Sequence, residues 1–354
     1  MGPRKRWAVL FLVGLGGLYL PLTRLGEPAL RETWFRTVTR ALVTDARGLA
    51  PPEGKIWLGA SRPELPQSLY GIYDLEARLG RSLAITSFYQ AWGDRPEHRF
   101  PGEVLRNLRK AGYLPMVTWE PWLSAFARWR GQVAPGSLAL IARGELDDYI
   151  RGWARDAVRY GHPLLLRPAH EPTNDWYGWG PAHGNAAGDY QAFWARVHRI
   201  FREEGARNVL FVWTPYGLHD QHWFPGPALV DWIGLDVFNY GGLSEQGTWL
   251  DFYTLTKLFY DVYRDLGPPL LVAEAGTSSV GGNKADWIRD MFRSLSANNF
   301  PRIRALVLFD QPNGQTNSGL PVDWSIGEQA STPDLIPGQP ELFALFTREM
   351  ERRL

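Results

Sequence analysis

The sequence predicts an α/β chain folded as a (β/α)8 TIM barrel, and three observations lead there. From Ile56 onward, eight short runs rich in β-branched and aromatic residues recur along the chain. Amphipathic helical patterns separate most of these runs. Polar residues gather at the C-terminal ends of the runs, the rim at which a parallel barrel collects its βα loops. A doubly wound sheet uses the same alternation, but no Gly-rich phosphate turn follows the first run.

The strand candidates, in order, are IWLGA, SLAITSFYQ, YLPMVTWEP, PLLLRPAHE, NVLFVWTPY, VDWIGLDVFN, PLLVAEAGT and IRALVLFDQ. The helical patterns between them are PGEVLRNLRKAG, ELDDYIRGWARDAVRYG, DYQAFWARVHRIFREEG, WLDFYTLTKLFYDVYRDLG and KADWIRDMFRSLSANN. Several close on Gly or Asn, the residues that tolerate the left-handed conformation of a helix C-terminus.

Three regions follow. Residues 1–26 read as a signal peptide or an N-terminal membrane anchor: Arg4, Lys5 and Arg6 precede an apolar run over residues 7–22 that is short for a full bilayer crossing. A buried N-terminal helix is the other reading, weakened by Gly14, Gly16, Gly17 and Pro21. Residues 27–55 read as a linker with a short helix, and 56–354 as the barrel, with a turn-rich loop after the eighth run near the mouth and ELFALFTREMERRL as a closing helix. The expectation is a secreted or periplasmic protein, either released or attached to a membrane through its N-terminal segment.

Composition excludes several classes. With 38 Lys and Arg against 37 Asp and Glu, the net charge of +1 gives no general attraction for nucleic acid. The absence of Cys removes disulfides, thiolate nucleophiles and Cys-containing zinc sites. Seventeen Trp in 354 residues are more than a core commonly needs, and aromatic faces suit sugar-binding clefts.

The stretch LRPAHEPTNDWYGWG carries the chemistry. A zincin helix needs a second His four residues after the first, whereas here Asn174 stands there and Pro172 interrupts a helix, so no metal and no cofactor is expected. Glu171 instead ends the fourth run, and Glu274 ends the seventh, across the mouth of a barrel. Two such carboxyls suit glycosidic cleavage, one protonated to release the leaving oxygen and one ionised to attack the anomeric carbon or activate water. A separation of about 5 Å implies retention of configuration, and above about 6.5 Å inversion. A lone strand-end Glu is more often an ion-pair partner, but two on one aromatic-rich rim favour catalysis.

The expected substrate contacts are His170, Arg167, Trp92, Trp119, Trp176, Trp179, Trp213, Asp236 and Tyr240. Each has a plainer alternative. Any single Trp reads equally well as core, Arg167 as a core ion pair, and His170 as a residue behind the site, since neighbours on a straight strand face opposite ways. Asp310 and Gln311 could line a subsite or face solvent.

The block Arg167-x-x-His170-Glu171 followed by Trp176-Tyr177-x-Trp179 resembles that of glycoside hydrolase family 26, the β-mannanase family of the clan of (β/α)8 retaining glycosidases. The likeness runs from about residue 58 to the end of the chain. GYLPMVTWEPW resembles the family's third-strand block, VDWIGLDVFNYG its sixth, and DWSIG its late loop. The resemblance implies that Glu171 is the general acid/base, that His170 lies near the reacting centre, and that Glu274 is the nucleophile. It implies substrates among β-1,4-mannans, β-1,3-xylans and mixed-linkage β-glucans. Three positions depart: Thr173 for the family's usual Asn, Asn174 for its Gly, and Phe238 for a Tyr that hydrogen-bonds to the nucleophile, with Tyr240 a candidate to replace that hydroxyl. The expected function is a retaining endo-β-glycosidase acting on a β-linked polysaccharide or oligosaccharide. The alternative is a non-hydrolytic carbohydrate-binding or polysaccharide-assembly protein on the same barrel.

Overall fold

All eight expected strands form, and they close on themselves. In a computed structural model, β1 (Trp57–Ser61), β2 (Ile85–Ala91), β3 (Leu114–Glu120), β4 (Leu164–Pro168), β5 (Val209–Trp213), β6 (Trp232–Asn239), β7 (Leu270–Thr277) and β8 (Ile303–Phe309) pair in sequence order, and β8 returns in parallel to β1. The structure describes residues 46–326 apart from 47, 80–81, 131–135 and 317. The expected signal or anchor, the linker helix and the closing C-terminal helix lie outside the described residues.

Seven helices surround the barrel among the described residues: α1 (Tyr70–Leu79), α2 (Gly102–Lys110), α3 (Ser137–Arg143), α4 (Asp147–Tyr160), α5 (Ala187–Glu203), α6 (Phe252–Tyr263) and α7 (Lys284–Ser296). The five expected helical patterns became α2, α4, α5, α6 and α7. α1 and α3 were not among them; α1 shows only a narrow apolar stripe of Ile72, Leu75 and Leu79. The crossover from β5 to β6 carries a single 3-10 turn at Asp220–Trp223 among the described residues. After β8, a small hairpin of β9 (Gly314–Gln315) and β10 (Pro321–Val322) rises beside the mouth.

Strand alternation sorts the core into two compartments. One apolar cluster takes side chains from every strand, including Trp57, Ile85, Met116, Leu165, Leu210, Trp232, Leu271 and Val307, and therefore fills the lumen. The larger cluster, with Phe88, Val117, Leu166, Phe211, Ile233, Val272 and Leu306, lies between strands and helices. Lumen parity carries Tyr89 on β2, Arg167 on β4 and Asp236 on β6 to the upper end of the lumen, where their side chains meet.

Glu274 reaches the same place by an irregularity. Leu271 and Ala273 belong to the lumen cluster, so strict alternation turns residue 274 toward the helices. The register between β6 and β7 slips by one residue, from Leu235 opposite Val272 to Asp236 opposite Glu274. Such a bulge re-aims the side chain that follows it, and Glu274 faces Arg167 and Tyr89 instead.

Candidate active site

β4 stops at Pro168, earlier than the sequence suggests, because two non-glycine residues beyond it adopt left-handed conformations: Ala169 at φ 45° and Glu171 at φ 49°. Such conformations are costly for L-residues and persist only where surrounding bonds enforce them. Ala169 N donates to Trp119 O at 3.1 Å and Glu171 N to Thr214 O at 2.8 Å, tying the bend to the strands on either side. The bend frees His170 and Glu171 from strict alternation. His170 Nε2 meets the Tyr177 hydroxyl at 2.8 Å, and Glu171 turns into a cleft of about 340 Å3 that Glu274 also lines.

One cation organises two carboxyl groups beneath that cleft. Arg167 is fully buried; its Nε donates to Thr118 Oγ1 at 2.8 Å, its Nη1 to both oxygens of Asp236 at 3.1 and 3.2 Å, and its Nη2 to Glu274 Oε1. The Tyr89 hydroxyl donates to that same Oε1. Burial and the adjacent Glu274 charge hold the Tyr89 phenol well above its ordinary range, so it stays protonated as a donor. Both contacts load one oxygen and hold the carboxyl group in a fixed orientation, with Oε2 as its other oxygen.

Glu171 has the opposite environment. Burial raises its pKa to about 7, opposed by the Asn174 amide, which donates to Oε2 at 2.7 Å, while the Glu274 charge adds to the rise. Asp236, hydrogen-bonded to Glu171, is held well above the carboxylate range by burial and then by Glu274. Burial also raises Glu120, at the end of β3, to about 6, against a hydrogen bond from Trp122. A proton-retaining carboxyl and a firmly held carboxyl in one cleft can supply acid to a leaving group and a nucleophile to the atom it leaves.

The expected aromatic subsites need correction. Trp92, Trp119, Trp179 and Trp213 have no exposed surface and cannot stack on a ligand. Trp119 and Trp213 fall on the helix-facing parity of their strands; Trp119 packs on Trp92 at 4.2 Å and Trp153 at 4.6 Å, and Trp213 packs on Phe224 at 5.0 Å. Trp179 lies flat behind Tyr177 at 4.5 Å and donates to His170 O at 2.8 Å. Arg167, His170 and Asp236 also serve from beneath: Arg167 is consumed by its carboxylates, Asp236 by Arg167 and Glu171, and His170 is buried against Tyr177 and Tyr89. Burial and the nearby Arg167 hold His170 well below its ordinary pKa, and therefore neutral.

Trp176, 57% exposed, and Tyr240 line the cleft. Phe238 lies there too, against Trp324 at 4.9 Å, and the hydroxyl that reaches Glu274 comes from Tyr89 rather than Tyr240. Tyr89 was missed, although it shares parity with Ile85 and Ser87 and stands at a strand's C-terminal end. Asn313, Gln315 and Thr316 bring polar groups from the β8 loop and hairpin. Thr173 is not among the residues that line the cleft: its hydroxyl bonds the oxygens of Asp220 at 2.9 and 2.8 Å, and Asp220 in turn accepts from the backbone of Tyr216 and Gly217.

Residues 141–268 match the model of glycosyl hydrolase family 26. Endoglucanase H of Acetivibrio thermocellus is 30% identical over 244 residues, 65% of this chain and 24% of that protein. In this stretch the chain resembles glycosyl hydrolase family 26. A mannan endo-1,4-β-mannosidase of Bacillus subtilis is 24% identical over 131 residues, 35% of this chain and 33% of that protein. The chain thus spans only 24% and 33% of the lengths of these two curated relatives. Among solved structures, the catalytic domain of an endo-β-1,4-mannanase from a Bacillus species superposes with a TM-score of 0.60 at 18% identity, covering 88% of each chain. A modular endo-β-1,4-mannanase from Cellulomonas fimi gives 0.59 at 18% identity, covering 89% of this chain and 73% of that one. At such identities these structures bear on the fold alone.

Proposed function

We propose that this chain is a retaining endo-β-glycosidase that hydrolyses a β-linked polysaccharide, β-glucan or β-mannan. The observation that carries the proposal is the opposed bonding of two carboxyl groups in one cleft: Glu274 held by Arg167 and Tyr89, Glu171 buried and retaining its proton near neutrality. Glu274 Oε2 attacks the anomeric carbon as the bond to the leaving oxygen breaks and Glu171 gives that oxygen its proton. Glu171, now a carboxylate, takes a proton from water, whose oxygen displaces Glu274 and restores both groups. Arg167 and Tyr89 hold Oε1 throughout, and Trp176 offers an exposed face to a sugar ring.

The relative with endoglucanase in its name aligns over 65% of the chain and the mannosidase over 35%, so β-glucan is the first substrate to assay and mannan the second. Release of reducing ends from either polymer supports the proposal. Binding without release from glucan, mannan and xylan would contradict it. We also propose that the enzyme acts outside the cytoplasm, where such polymers occur, in keeping with the basic and apolar N-terminal sequence.

Two expected results follow from the site chemistry. Because the leaving oxygen needs the Glu171 proton, kcat/KM will fall as pH rises through about 7, a limb read from the pH profile of the free enzyme. A limb that persists unchanged in an aryl glycoside series needing no acid assistance would assign it elsewhere. Tyr89→Phe removes one hydrogen bond to a charged group, worth about 1.5–3 kcal/mol, and will lower kcat/KM roughly 10- to 100-fold with the fold intact. An unchanged rate would take Tyr89 out of the mechanism.

A further inference from the structure

Asn174 lies in the turn after β4, three residues beyond Glu171, and is only 4% exposed. Its Oδ1 accepts from the backbone N–H of Trp176 at 3.1 Å, and its Nδ2 donates to Glu171 Oε2 at 2.7 Å. The backbone donor fixes which end of the amide is which, since a peptide N–H can be answered only by the oxygen. The turn is closed by Asn174 N donating to Glu171 O at 3.0 Å and Tyr177 N donating to Asn174 O at 3.1 Å. The amide is therefore held from both sides with its N–H aimed at one carboxyl oxygen.

We propose that Asn174 is a positioning residue that selects which oxygen of Glu171 carries the transferable proton. The proposal rests on reading Glu171 as the acid/base. Oε2 already receives an N–H, so a hydrogen there would oppose the amide's own, and the proton resides on Oε1. In the first half-reaction the O–H bond at Oε1 breaks and the leaving glycosidic oxygen gains that proton. The Asn174 contact strengthens as the charge forms on the carboxylate, because hydrogen bonds to ions are the stronger kind. In the second half-reaction Oε1 takes a proton from the attacking water, and the cycle closes.

The charged and titratable groups facing Glu171 are Arg167 from β4, Asp236 from β6, Glu274 from β7, and the phenols of Tyr177 and Tyr240. Unlike Arg167, Asp236 and Glu274, the Asn174 amide can be substituted without breaking an ion pair. Its hydrogen bond favours the charged carboxylate, opposing the rise that burial imposes, so its removal must raise the proton affinity of Glu171.

The test uses Asn174→Asp, which is isosteric and keeps an oxygen for the Trp176 N–H, and Asn174→Ala, which removes both contacts. Two quantities are read: the alkaline limb of kcat/KM on β-glucan, and the titration midpoint of the Glu171 carboxyl carbon by 13C NMR, assigned by its absence from Glu171→Gln. The limb and the midpoint will both move up, by about one pH unit in the Ala variant and further in the Asp variant. kcat will fall more on polysaccharide than on an aryl glycoside with a good leaving group, a split that mere loosening of the turn would not produce. An unmoved midpoint in folded Asn174→Ala would overturn the proposal. If wild type hydrolysed no β-glycan, the glycosidase reading would fall, while the 13C midpoint would still decide whether Asn174 governs the Glu171 proton.

Discussion

Glu274→Ala will lower hydrolysis of the polysaccharide by about 10^4-fold or more, equivalent to roughly 5.5 kcal/mol or more of lost transition-state stabilisation. The size of the effect follows from what Glu274 does in the proposed reaction. It forms the bond that replaces the one being broken, and no neighbouring group is free to take its place: Asp236 lies in the grip of Arg167 and is hydrogen-bonded to Glu171. The loss will be as large on an aryl glycoside as on the polymer, because no leaving group relieves the need for a nucleophile. Glu171→Ala will behave differently, losing the polymer but retaining a first-step rate on an activated aryl glycoside, whose leaving group needs little proton help. Steady-state rates on the two substrate types for both variants check this. Equal losses in all four combinations would leave the two carboxyl groups without distinct roles.

Arg167→Met will lower the free energy of unfolding by about 3–5 kcal/mol and abolish turnover, the largest expected effect on stability. The guanidinium has no exposed surface and pairs with Asp236 and Glu274 at once. Removing it leaves two buried carboxyl groups without a cation, and such groups take up protons or destabilise the fold. The sign with pH is therefore set: the deficit will be largest at neutral and higher pH, where the groups must ionise, and will shrink as acid neutralises them. Adding Asp236→Asn to the variant will recover part of the stability, since one of the stranded charges is gone. Chemical denaturation of the single and double variants at two pH values measures each of these quantities, and a pH-independent deficit would mean that Arg167 acts by packing alone.

The barrel was legible in the sequence because its signal is redundant. Eight runs of similar length, separated by crossovers, survive the omission of α1 and α3 and the lack of an α-helix between the described parts of β5 and β6. Glu171 and Glu274 were legible for a narrower reason: both sit where runs of apolar residues give way to polar ones. The aromatic subsites were misread because Trp at a strand end satisfies two demands equally well in composition, and parity separates them. Trp119 and Trp213 alternate with lumen residues and so face helices, whereas Tyr89 has the lumen parity and was overlooked. Parity alone would have failed at Glu274, which the bulge on β7 turns inward, and at Glu171, which two left-handed residues release from the strand. The departures at Thr173 and Asn174 looked alike in sequence but differ in space, one tied to Asp220 and the other to Glu171.

The claim that Glu274 forms a covalent bond to the sugar is tested most directly by reacting the protein with a 2-deoxy-2-fluoro β-glycoside bearing a good leaving group. The fluorine slows both steps by destabilising positive charge at the anomeric carbon, and the reactive leaving group lets the first step outrun the second, so an intermediate accumulates. Intact-mass analysis followed by peptide mapping should find one glycosyl unit on the peptide containing LLVAEAGT, at Glu274, and none on Glu274→Ala. A label on another residue, or reaction through to free sugar of inverted configuration without any label, would contradict the account.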